Sequence, residues 1–162
     1  MFDIPAGYPQ WGNEVDYNMQ VDIHSARYVL EHANPTLVSV TVTCQTALRR
    51  AYLARLAQAG RSGELIVLQA ELYARSEQYE QHYGETCSGL PRDIINFQHD
   101  ALACAIALGW REGVEFDTVP LKLETRGGWL YEIPDTDGVP TRLVTKIDGN
   151  AFNEFWCDIL CS

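Results

Sequence analysis

Apolar residues recur along this chain in two rhythms, helical in its first two thirds and strand-like after that, which outlines an α/β protein. Ala26, Val29 and Leu30 follow Asp22 at helical spacing, so Asp22 reads as the N-cap of a helix that Asn34-Pro35 stops. Residues 36–42 are rich in β-branched side chains and predict a central strand, parallel to a neighbour. Thr43 then caps a second helix, where Leu48, Tyr52 and Leu56 recur every four residues until Gly60 ends it. Ser62 opens a longer amphipathic helix carrying Leu65, Leu68, Leu72, Tyr79 and Tyr83. Residues 84–98 read as a loop, and the apolar run Ala101 to Trp110 predicts a helix that ends near Gly109. Strand-like stretches follow at 114–125, 129–133 and 142–147, with Gly127-Gly128 turning an antiparallel hairpin. A terminal helix from Asp148 or Gly149 gathers Phe152, Phe155, Trp156 and Ile159 on one side. Pro5, Gly7, Pro9 and Gly12 leave residues 1–20 irregular.

The 162 residues suit one domain spanning 1–162. A net charge of −10 opposes nucleic-acid binding, because phosphates are repelled. Arg49, Arg50, Arg55 and Arg61, the densest basic stretch, fall among alanines and leucines as a solvated helix face. No apolar run approaches the roughly 18–20 residues that cross a bilayer, and the first residues carry no signal core, so the expectation is a cytoplasmic protein that does not bind membranes. The five cysteines show no CxxC spacing and read as reduced, partly buried thiols.

Candidate chemistry gathers at two places. Gln98-His99-Asp100-Ala101-Leu102 sets a histidine beside a carboxylate where a loop becomes a helix. An imidazole there can move a proton and a carboxylate can hold a hard cation. The same residues fit a plainer role, with Asp100 capping the helix and His99 an ordinary loop residue. The second place is Asn13-Glu14-Val15-Asp16-Tyr17-Asn18, whose polar groups could equally fix a loop through backbone hydrogen bonds.

Order and spacing connect the two. Asp16-Tyr17-Asn18-Met19-Gln20-Val21-Asp22, followed by Ala26-Arg27, resembles the "E-F/Y-N-x-x-x-D-P-E-A-A" segment of inosine–uridine-type nucleoside hydrolases. Phe97-Gln98-His99-Asp100-Ala101-Leu102-Ala103 is similar to that family's "H-D-P-L-A" motif. The closing β segments and Asp148-Gly149-Asn150-Ala151-Phe152 resemble its C-terminal portion. The resemblance implies a nucleoside-hydrolase-like, Rossmann-like fold: a mixed sheet with flanking helices, here the C-terminal half. It implies hydrolysis of the N-glycosidic bond of nucleosides through an oxocarbenium-like transition state. It also implies a calcium cofactor that binds water and the ribose hydroxyls. Carried over by position, Asp100 is a calcium ligand and His99 the general acid beside the leaving base. Asn18 hydrogen-bonds a ribose hydroxyl, Asp16 takes the place of the family's sugar-binding glutamate, and Asn13 stands for its earlier asparagine.

The family's D-x-D-x-G-x-D-D cluster has no counterpart in this sequence, which leaves Asp100 as the one metal ligand carried over. The expectation is therefore a chain that is weak or inactive alone and completed by a second copy or an N-terminal partner chain. The alternative is a non-catalytic binding or interaction module that keeps the hydrolase fold. In a complete site, Asn18 and Asp100 should share one pocket, on the order of 10 Å apart or less. Tyr79, His82 and Tyr83 suit either stacking on a base or core packing.

Overall fold

Two aspartates start helices with their own side chains. Asp22 Oδ1 accepts from the backbone N–H groups of His24 and Ser25 at 3.1 and 3.0 Å. Asp148 Oδ1 accepts from those of Asn150 and Ala151, both at 3.0 Å. Each satisfies donors that a helix N-terminus otherwise leaves unpaired. The computed structural model describes residues 3–12 and 16–162. Asn13 lies outside the described residues.

In chain order the elements are α1 (Tyr17–Gln20), α2 (Ile23–His32), β1 (Thr36–Leu37), α3 (Val40–Thr43), β2 (Ala47–Arg49), α4 (Leu53–Leu56) and α5 (Gly60–Glu77). They continue with β3 (Ile94–Phe97), α6 (His99–Ala107), β4 (Glu115–Arg126), β5 (Trp129–Pro134), β6 (Val139–Lys146) and α7 (Gly149–Cys161). A mixed four-stranded sheet runs β1-β6-β4-β5, with only the β1–β6 pair parallel. The hairpin at Gly127-Gly128 is antiparallel, as its turn chemistry predicts. Helices flank this sheet, giving the expected mixed α/β architecture. Among the described residues no helix is long and apolar enough to cross a membrane.

Residues 36–42 do not form the expected strand. Only Thr36 and Leu37 pair with β6, opposite Arg142 and Leu143. The Ser39 carbonyl then accepts from the N–H groups of Val42 and Thr43, both at 3.1 Å, and the chain turns into α3. That turn drives Val42 into a core with Leu102, Ile106, Val144 and Phe152. Burial outweighs the local preference for strand. β1 is thus an edge too short to expose a long unpaired ladder.

Residues 47–49 also depart from expectation, because they form a strand and not the body of a helix. β2 pairs antiparallel with β3, which falls inside the stretch read as loop. The register shifts at Leu48/Arg49, leaving Ile95 as a bulge that interrupts the alternation of side chains across this small sheet. Leu48 and Ile95 pack against α4, α5 and Cys157 of α7, while Ala47, Ile94 and Phe97 pack against Tyr79, Leu90 and the rings of Tyr8, Trp11 and Tyr83. α5 begins at Gly60, two residues before the expected start. Its Gly63 lies so close to the Leu56 carbonyl that a Cβ would collide with backbone. Alanine ordinarily favours a helix over glycine by about 1 kcal/mol. Here Gly63→Ala is expected to destabilise by about 1–3 kcal/mol instead, measured by urea unfolding.

Candidate functional site

Burial of α6 places its first turn. Leu102, Ala105 and Ile106 face Val42, Val144 and Phe152, which leaves His99 half-buried and Asp100 exposed at the helix start. His99 Nδ1 lies 2.7 Å from Thr43 Oγ1. Its ring stacks at 5.4 Å on Phe97 and meets the edge of Trp11 at 6.0 Å. Burial holds the imidazole below its usual pKa, and the Asp100 charge opposes that shift only in part. At neutral pH the ring is therefore mostly neutral.

His99 and Asp100 line an open cavity of about 850 Å³. Its walls include Tyr73 and Gln69 from α5, Gln98, Phe97, and Trp156 from α7. Asp16 and Asn18 line a different cavity, of about 260 Å³, with Ser39, Thr41, Ala103 and Glu132. The structure thus joins His99 to Asp100 and Asp16 to Asn18, but the expected pocket shared by Asn18 and Asp100 is absent among the described residues. α6 links the two places, because Ala103 follows Asp100 by three residues on one helix face. That offset is about 5 Å along the axis, less than the length of a nucleoside.

The smaller cavity carries an acid that sequence reasoning missed. Glu132 alternates with Leu130 on the inward face of β5 and is 5% exposed. A carboxylate at an inward strand position is the signal that was there to be found. α1 is fixed over this strand by Gln20, whose amide donates to the Leu130 carbonyl at 2.8 Å and accepts from the Leu130 N–H at 3.0 Å. Asp16, at the start of α1, sits near Glu132. Burial first, and the Glu132 charge second, push its carboxyl up to about 6.

Tyr79 is core: its ring packs on Phe97 at 5.6 Å and on Tyr83 at 5.1 Å. Tyr83 belongs to the same aromatic cluster, and His82 is exposed. Cys44, pushed up to about 12 by burial, and Cys157, pushed up to about 11, are poor nucleophiles. All five cysteines are free thiols.

Among the described residues, no three His, Cys, Asp or Glu side chains converge where a metal ion could sit. Among the described residues that line the larger cavity, Asp100 is the only acid. Calcium takes six to eight oxygen ligands, so these residues alone do not make a calcium site. A family model described as inosine-uridine preferring nucleoside hydrolase matches residues 8–154 of the chain. No curated protein matches it significantly.

Proposed function

Because the chain belongs to the inosine-uridine preferring nucleoside hydrolase family, we propose that it acts in the hydrolysis of the N-glycosidic bond of nucleosides. The observation that carries this reading is the pairing of His99 with Asp100 on the rim of one large cavity. His99 protonates the departing base, which otherwise leaves as an anion. Asn18 grips a ribose hydroxyl from the adjoining cavity, with Asp16 beside it. Asn13, in the segment just before Asp16, is assigned to the same sugar side on the resemblance alone.

The family is metal-dependent in general. Asp100 is the residue of this chain that would contribute to such a centre, with calcium the ion the resemblance suggests. A single carboxylate does not hold calcium against water. The remaining ligands then come from elsewhere, and a second copy of the chain or an N-terminal partner chain is the source we propose.

The purified chain, incubated with inosine and uridine with and without millimolar calcium, is expected to release little free base. A general acid alone contributes about 10²- to 10⁴-fold and leaves water activation unsupplied. Turnover that calcium drives and Asp100→Ala abolishes would show that the chain, alone or self-assembled, completes the site. A second reading, a binding module without catalysis, is favoured by the absence of a three-ligand cluster among the described residues. It predicts nucleoside binding in calorimetry with no base release in any mixture.

A further inference from the structure

Gln98 stands at the N-cap of α6, where serine, threonine, aspartate or asparagine is the usual choice, and its side chain makes no capping bond. Its backbone is fully used: the N–H donates to the Thr46 carbonyl at 3.1 Å, and its carbonyl accepts from the Leu102 N–H at 3.0 Å. Its side chain is not. Gln98 is 6% exposed, and among the described residues neither Oε1 nor Nε2 has a hydrogen-bond partner. Buried amides are ordinarily paired, and leaving both ends of one unpaired is costly. Asn153, another buried amide, is only half in this state, since its Nδ2 donates to the Ala47 carbonyl at 3.0 Å.

Gln98 lines the same 850 Å³ cavity as His99 and Asp100. Tyr73, Phe97 and Trp156 place three aromatic rings among its other lining residues, alongside Leu48, Ile66 and Leu72. Rings of that kind take a planar heterocycle face-on or edge-on. A carboxamide offers a C=O acceptor and an N–H donor side by side in one plane. Inosine and uridine both carry the matching edge, a ring N–H next to a carbonyl.

We propose that Gln98 is the base-reading residue of this cavity, pairing its orphaned amide with the N–H/C=O edge of a hypoxanthine- or uracil-type base. The inference rests on the nucleoside reading above and adds the group that selects the base. The amide is closed from solvent. Turning it toward a ligand breaks no hydrogen bond, so the ligand's own bonds are gained without an opposing loss.

Inosine and 1-methylinosine, which lacks the N–H, are the probes, titrated by calorimetry into the chain and into Gln98→Met. The chain is expected to prefer inosine by about ten- to a hundredfold, the worth of hydrogen bonds left unmade at a buried amide. Gln98→Met should erase the preference, because a thioether fills the space and reads neither donor nor acceptor. Its Tm should hold or rise, since an unpaired polar group has been removed. A Tm lower by several degrees would reveal a structural partner for the amide and overturn the proposal. So would equal binding of both probes by the unmodified chain, or a preference that survives in Gln98→Met; either leaves the nucleoside reading intact. Binding of neither nucleoside would overturn the proposal, while the nucleoside reading would still be decided by base release in the completed assembly.

Discussion

Asp16→Asn is expected to raise the stability of the protein at pH 7 by about 1–2 kcal/mol while weakening its hold on ribose. Burial beside Glu132 lifts the Asp16 carboxyl from 3.8 to about 6. Between those values the folded chain binds a proton that the unfolded chain has released. Folding is then favoured at low pH, and stability falls as pH rises through that window. At pH 7 the folded state carries a charge it would rather not hold. Taken in full, that rise would be worth nearly 3 kcal/mol, but Asp16 is only half-buried and solvent screens its charge, hence the smaller figure. Asparagine keeps the shape and removes the charge. No helix cap is lost, because the Asp16 side chain makes no capping bond in α1. Urea unfolding of both proteins at pH 7 and pH 3.5 tests this: the gain at pH 7 should disappear at pH 3.5, where both side chains are neutral. A gain that persists at pH 3.5 would locate its cause in packing. A destabilised variant would show that the Asp16 charge has a stabilising partner. A residue that costs stability where it stands fits the sugar-side role we propose for Asp16.

Much of the fold was legible because its signals are local. The caps at Asp22 and Asp148, the Gly127-Gly128 hairpin and the three long strands each depend on residues close in sequence. What escaped depends on distant partners. Leu48, Tyr52 and Leu56 carry helical spacing, yet Leu48 pairs with Asn96 across β2–β3. β3 itself has only four residues, too few for a period to show. Residues 36–42 carry strand composition, but Val42 gains more from the core beside Leu102 than a longer β1 would return. The candidate site divides in the same way. His99 and Asp100 were legible as neighbours at a helix start. Glu132 and Gln98 were not, because their significance lies in burial, which depends on what folds over them. For Glu132 that cover includes α1, held 110 residues away in sequence by the Gln20–Leu130 pair.

His99→Gln is expected to slow release of hypoxanthine from inosine by about 10²- to 10⁴-fold, measured in the assembly that turns over. A riboside with a p-nitrophenyl leaving group should be slowed far less, because that group departs as a stable anion and needs no proton. The pH dependence follows from the same burial. With its pKa held below 6.5, His99 is the acid only when pH falls toward that lowered value, so base release should rise on acidification until the fold weakens. The weakening has the same origin. A histidine protonated less readily in the folded state than in the unfolded one loses stability as pH falls below about 6.5. Asp100 opposes the burial effect, so Asp100→Asn should move the His99 titration further down, which proton NMR of the imidazole reads directly without any activity. A titration point at or above 6.5 in the unmodified chain would contradict the buried setting between Phe97, Trp11 and Thr43. Equal slowing of inosine and the p-nitrophenyl riboside by His99→Gln would give His99 a positioning role and remove it as the proton donor.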